Sequence, residues 1–210
     1  MSTVGIIGGP RSNFVRTARM ACHEKGVPYT LDAVFPHTPA VDAISPVGKI
    51  PVMRHGDLAL AETRAICGYI DAAFDGPPLM PRAPAAAAVT EQWISLVTTS
   101  IDPALMRNYL LHYVFPSGPD GKPDRARIEA ALPKCREMFA LLEKELATHT
   151  YLGGDTFTLA DMFLLPIIHY MQAFPESGEM LAAAPSVRAW HDRVAARPSA
   201  RDTLPAPRPA

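Results

Sequence analysis

The spacing of apolar and polar positions along this chain changes period several times, and the changes divide it into elements. Residues 3–7 form a short run rich in β-branched side chains that stops at Gly8-Gly9-Pro10, which predicts a strand and a loop. From Ser12 the spacing becomes helical. Phe14, Val15, Ala18 and Cys22 share one side, with Arg16, Arg19 and His23 mostly on the other. Gly26 and Pro28 end that helix. Residues 27–34 predict a second strand, parallel to the first because a helix separates the two. A loop through Phe35, Pro36 and His37 leads to a weak helix or loop over 40–44. Val52 with Met53, then residues 58–60, read as two short strands joined at the turn formers His55, Gly56 and Asp57. Thr63 is placed to cap the helix that follows, where Ile66, Tyr69 and Ile70 recur at helical spacing.

Asp75-Gly76-Pro77-Pro78, with Pro81 and Pro84 behind it, marks a boundary by composition. Residues 1–76 are therefore expected to form one domain and 85–210 a second, with 77–84 as linker. Beyond the boundary the pattern is helical throughout. One long helix is expected over about 85–111, bent at Pro103, and another over 124–147, kinked at Pro133. Thr158-Leu159-Ala160-Asp161 has the spacing of a capping box, with Asp where Glu or Gln is usual. The helix it opens is apolar on most sides and is expected to be central and buried. A last amphipathic helix spans 185–196. The tail from about 198 repeats proline and holds too few apolar residues to fold alone.

Composition narrows the function classes. A chain of 210 residues can bury a sizeable core, and its net charge of −1 gives no pull toward nucleic acid or a membrane surface. No apolar run reaches transmembrane length, and the first residues lack the pattern of a signal segment. Cys22, Cys67 and Cys135 share no CxxC spacing, which reads as reduced thiols in a cytoplasmic protein. The histidines show no ligand spacing, so no metal is expected.

Candidate chemistry concentrates between residues 48 and 69. Pro51 opens a strand with its φ fixed and no N–H to give. A cis Ile50–Pro51 bond would leave the Ile50 backbone free to pair with an extended ligand. Glu62 and Thr63 sit where strand becomes helix. Free N–H groups at a helix start suit a carboxylate, and the Glu62 carboxylate suits an ammonium. The stretch is thus fitted to a small zwitterionic peptide. Ser12 lies at another predicted helix start, where it could cap the helix or donate to a ligand, and Asn13 is its neighbour.

The run Gly48-Lys49-Ile50-Pro51-Val52, followed by Glu62-Thr63-Arg64-Ala65-Ile66 and Tyr69-Ile70, resembles the glutathione-binding half of the cytosolic glutathione S-transferases. The segment from Pro10 to Arg16 resembles that of members, bacterial ones included, with a catalytic serine at the start of the first helix, and Thr158 to Asp161 resembles the folding motif of their helical domain. The resemblance implies an α/β plus all-α architecture: a thioredoxin-like N-terminal domain, in agreement with the βαβ…ββα order, and an all-helical C-terminal domain. It further implies a detoxifying transferase that joins the glutathione thiolate to small hydrophobic electrophiles, with glutathione as co-substrate and no other cofactor. Ser12, or else Asn13, would contact the sulfur. Ile50 and Pro51 would hold the cysteinyl unit, Glu62 and Thr63 the γ-glutamyl end, and Lys49 or His37 the glycyl carboxylate. Met106, Tyr109, His112 and Tyr113 would line the second-substrate pocket, between the two domains. A cytoplasmic homodimer is implied, with Asp102 reaching the glutathione amino group across it. The alternatives are a glutathione-dependent isomerase, dehalogenase or peroxidase on the same fold, or a non-catalytic glutathione-binding or assembly module.

Overall fold

The computed structural model describes residues 3–206. Of these, 3–80 with 195–206 make one compact unit, and Pro81–Val194 another.

The first unit is built on four strands: β1 (Val4–Ile7), β2 (Tyr29–Asp32), β3 (Val52–His55) and β4 (Leu58–Ala61). Their order in the sheet is β2-β1-β3-β4. β1 and β2 run parallel, as a helical crossover requires, while β1–β3 and β3–β4 are antiparallel. The intervening helices are α1 (Asn13–Glu24), the four-residue α2 (Pro39–Asp42) and α3 (Thr63–Ala73). Val4 and Ile6 alternate inward from β1 and, with Val15, Met20, Val52, Met53, Ile66 and Ile70, form a core closed to solvent. This is the thioredoxin-like layout.

Several local expectations shift. β2 is half the length of the apolar run that predicts it, because only Tyr29–Asp32 finds a partner in β1. Thr63 is the first helical residue rather than the cap; Glu62 holds the cap position and its carbonyl accepts from the Ile66 amide. The segment expected as a loose linker is tied down as far as Met80. Asp71 accepts from the Leu79 and Met80 amides at 2.9 and 3.0 Å, and the buried Lys25 ammonium donates to Asp71, Gly76 O and Pro77 O. The expectation of a poorly structured tail from about 198 is corrected over 198–203; 204–206 form no regular element, and residues 207–210 lie outside the described residues. Helix α10 (Pro198–Asp202) forms against α1. The cause is polar rather than apolar. Arg197 grips Glu24 with two nitrogens at 2.9 and 2.7 Å, Ser199 donates to the same carboxylate, and Arg16 donates to Ala200 O.

The second unit is helical: α4 (Pro84–Leu96), α5 (Leu111–Val114), α6 (Arg125–Leu146), α7 (Leu159–Met171), α8 (Pro175–Ala182) and α9 (Pro185–Ala195), whose last residue belongs to the first unit. Between α4 and α5 the helix does not break at Pro103; it widens. Val97–Ile101 and Pro103–Leu110 are π-helical, with the Asp102 amide reaching Val97 O and the Leu111 amide reaching Met106 O, each five residues back. Proline removes one i→i−4 donor and crowds the carbonyl four residues earlier, and a wider turn accommodates both. Helix α7 is the centre, with every residue from Leu159 to Ile168 buried. Its capping box forms as the spacing predicts: the Thr158 amide donates to Asp161 Oδ2 at 2.9 Å. Asp161 also accepts from the Leu152 amide and from Trp190 Nε1, at 2.8 and 2.7 Å, and so ties α9 to the start of α7.

Candidate active site

The register of the sheet collects the candidate residues at one edge. Ile7, the last residue of β1, lies opposite Val52, the first of β3, and Val52 lies opposite Ala61, the last of β4. Gly8, Pro51 and Glu62 are therefore the next residues on three neighbouring strands at the same end. Helices α1 and α3 both start there, so two helix N-termini, each the positive end of its helix dipole, face that edge.

Ser12 is the N-cap of α1. Its Oγ accepts from the Val15 amide at 3.4 Å and is only half-buried. A hydroxyl that accepts in this way still has its proton to donate, so capping and donation to a ligand are compatible roles for one oxygen. Asn13 is the first helical residue and is buried, which makes its amide the less accessible of the two.

Ile50 precedes Pro51 across a cis peptide bond. Its amide and carbonyl make no backbone hydrogen bond to another described residue. Pro51 is buried, and Lys49 beside it is exposed with its backbone amide donating to Ser45 Oγ. His37 is exposed, at φ 58°, and its amide donates to Gly48 O at 2.9 Å. Its imidazole fills the space where a side chain at Gly48 would stand, since a Cβ there would lie 2.1 Å from His37 Nδ1. His37 and Lys49 are thus brought to the same edge as Ile50.

Glu62 is exposed, its side chain makes no capping hydrogen bond, and it has φ 69° and ψ 118°, a region that non-glycine residues rarely adopt. Thr63 beside it is buried. The edge thus presents an anion at Glu62, a cation at Lys49, an unpaired backbone at Ile50 and a hydroxyl at Ser12.

Of the four residues expected to contact a second substrate, Met106 and Tyr109 lie on the widened helix and His112 and Tyr113 on α5, which follows it, and they differ among themselves. Met106 and Tyr109 are buried, while His112 and Tyr113 are half-buried. The Tyr109 hydroxyl donates to Glu176 Oε2 at 3.0 Å and accepts from the Ser177 amide. Burial first, and then the Glu176 carboxylate, push its ionisation upward. Tyr109 therefore belongs to the core of the unit. Tyr113 donates to Glu176 Oε2 at 2.7 Å, accepts from Arg125 and stacks on Phe174. Glu176 gathers these donors together with Arg125, 2.6 Å from its other oxygen. Burial acts to raise the Glu176 carboxyl, but the hydrogen bonds from Tyr113, Arg125 and Tyr109 outweigh it and hold it at about 2. Sequence reasoning passed over Glu176, whose only local signal is its place in the first turn of a short helix. The expected reach of Asp102 toward a ligand is not what the side chain does: it is buried and accepts from Arg107 Nε at 3.0 Å.

The three cysteines are free and buried. Burial pushes the Cys22 thiol up to about 12, the Cys135 thiol up to about 11, and the Cys67 thiol higher still. None supplies a thiolate at neutral pH. Among the described residues no group of three or more His, Cys, Asp or Glu could hold a metal ion, and no helix is long and apolar enough to cross a membrane.

Comparison with known proteins matches residues 7–78 to the N-terminal domain of glutathione S-transferases and residues 101–198 to their C-terminal domain. Glutathione S-transferase 3 of Zea mays is 35% identical over 219 aligned positions, covering 98% of this chain and 95% of that protein. The apo structure of glutathione S-transferase III superposes with a TM-score of 0.84 at 31% identity, covering all of both chains. A theta-class glutathione S-transferase from Xanthomonas axonopodis pv. citri, solved with glutathione bound, gives a TM-score of 0.79 at 31% identity over 97% of each chain.

Proposed function

The chain belongs to the glutathione S-transferase family, and from that premise we propose that it is a glutathione transferase whose thiolate is stabilised by Ser12. The observation that supports the reading is the sheet edge, whose neighbouring strand ends lead to a half-buried helix-start hydroxyl, the Ile50 backbone and the Glu62 carboxylate. Glutathione carries the complementary groups: a thiol, a peptide backbone, and an α-ammonium on its γ-glutamyl end. Glu62 takes the ammonium, the N-terminus of α3 at Thr63 takes the α-carboxylate, Ile50 pairs with the cysteinyl backbone before Pro51, and Lys49, assisted by His37, takes the glycyl carboxylate. The thiolate attacks an electrophilic carbon and forms a C–S bond as the bond from that carbon to its leaving group breaks, the bonding pair departing with the leaving group into solvent. Tyr113 and His112 are the contacts for a small hydrophobic electrophile; Met106 and Tyr109 support them from the core. The chain's own cysteines, all buried and poorly acidic, leave the thiol chemistry to glutathione. Reduced thiols also fit a cytoplasmic protein.

The energetics are sufficient without a metal or a cationic side chain. A cysteine thiol titrates near 8.5 in water, so about 3% is thiolate at neutral pH. Lowering that value by about two units requires about 2.7 kcal/mol of preferential stabilisation. One hydroxyl donor to a charged acceptor supplies about 1.5–3 kcal/mol, and a helix N-terminus roughly 0.3–1 kcal/mol. Ser12→Ala should return the bound thiol most of the way to its free pKa and lower kcat by about tenfold or more near neutral pH, with recovery at high pH. Glutathione affinity should change little. Ultraviolet titration of the bound thiolate in both proteins decides the matter: coincident curves would make Ser12 a cap only and transfer the test to Asn13.

A further inference from the structure

Gly8 sits between Val15, in the first turn of α1, and Ile50. Its amide donates to Asp32 O at 2.8 Å, which pins the end of β1 to β2 and prevents the backbone from retreating. A Cβ at this position would lie 2.7 Å from Val15 Cγ2 and 2.9 Å from Ile50 Cβ, distances at which something must move. Neither neighbour is the free end of a long side chain. Val15 is fully buried in the first turn of α1, and its amide is the one that Ser12 caps. The Cβ of Ile50 is rigidly attached to the backbone read here as pairing with the cysteinyl unit. Gly8 also has φ 148°, outside the range that side-chain-bearing residues readily take.

Resting on the Ser12 reading above, we infer that Gly8 is a positioning residue: the absent side chain at the end of β1 sets how near the Ser12-bearing helix start can approach Ile50, and thereby the distance between the hydroxyl donor and the glutathione sulfur. A methyl group there acts as a wedge with α1 on one side and the Ile50 loop on the other. Hydrogen bonds weaken steeply once donor and acceptor leave their preferred range, so a displacement of a few tenths of an ångström falls mainly on the Ser12–sulfur contact. The Glu62 and Thr63 contacts lie across β3 from Gly8 and change less.

The test compares Gly8→Ala, Val15→Ala, Gly8→Ala/Val15→Ala and Ser12→Ala by bound-thiol titration, glutathione calorimetry and circular dichroism. Gly8→Ala should raise the bound-thiol pKa by about one unit, which cuts the thiolate fraction at neutral pH roughly threefold, with glutathione affinity within about threefold of the parent. Val15→Ala should titrate like the parent, and the double variant, which removes the 2.7 Å contact, should recover part of the shift. A folded Gly8→Ala protein with the parent's titration overturns the inference, as does a double variant as impaired as the single, since relieving the α1 side of the wedge then leaves the site unchanged. If Gly8→Ala does not fold, Val15→Leu crowds the same gap from the α1 side with φ at Gly8 untouched; it must raise the thiol pKa, and a parental titration overturns the proposal. Ser12→Ala separates the two readings. If it leaves the titration unchanged, the Ser12 assignment fails; if it shifts the titration and Gly8→Ala does not, only the present inference fails.

Discussion

Glu62 is held at φ 69° with a solvent-exposed carboxylate that makes no capping hydrogen bond. Such a conformation costs a non-glycine residue about 1–3 kcal/mol and persists where the surrounding structure imposes it. Here β4 delivers the chain to the edge and α3 departs from it, so the residue at the junction absorbs the change of direction. The carboxylate returns nothing to the fold that would offset the strain, which is what a ligand-binding role predicts. Glu62→Ala should weaken glutathione binding by about tenfold to a hundredfold, the loss of about 1.5–3 kcal/mol from a charge-assisted contact. Glu62→Gly should lose the same affinity yet unfold at a temperature no lower than Glu62→Ala, because glycine accepts the positive φ. Calorimetry and thermal melts of the pair measure both effects; unchanged affinity in either variant would remove the γ-glutamyl assignment.

Among elements, the junction of the widened helix, α6 and α8 rests on one carboxylate. Glu176 draws Tyr109, Tyr113 and Arg125 to itself, and its carboxyl stands at about 2 where an ordinary glutamate stands near 4.5. The lowered folded-state value means that this contribution is fully present above the unfolded pKa. It is lost as pH falls from about 4.5 toward 2. Its size should be about 1–2 kcal/mol, less than the full displacement implies, because Arg125 is open to solvent and the pair is screened. Glu176→Gln should therefore be less stable than the parent in urea at pH 7, with the gap closing as both are taken toward pH 3. A gap that stays constant over that range would mean the carboxylate charge contributes nothing. The same substitution frees Tyr113 from its strongest acceptor and should alter turnover of bulky electrophiles more than glutathione affinity.

For the whole molecule, the family premise supports a two-fold homodimer, the commonest assembly of soluble proteins. Sedimentation at micromolar concentration should give about twice the 22.7 kDa of one chain; a single species at 22.7 kDa would remove the claim. Asp102 is assigned no role across such an interface, since its carboxylate is buried and already paired with Arg107.

What the sequence determined by itself was whatever depends on neighbours a few residues apart. The β-branched run of β1, the helical spacing of α1 and α3 and the Thr158–Asp161 capping box are short-range patterns, and each forms the element it predicts. The motif around Ile50, Pro51, Glu62 and Thr63 was legible for the same reason, being a hairpin and a helix start in one continuous stretch. Tertiary structure decided what rests on distant partners. The tail holds too few apolar residues to fold alone, and α10 forms because Arg197 and Ser199 find Glu24, more than 170 positions away in the chain. Tyr109 and Tyr113, expected to line a pocket, instead give their hydroxyls to Glu176, more than 60 positions on. The register of β1, β3 and β4 alone places Gly8, Pro51 and Glu62 at one edge. Short-range order follows from backbone sterics and side-chain period, both written residue by residue. A polar contact between distant residues depends on where two folded elements stop, and no local pattern carries that information.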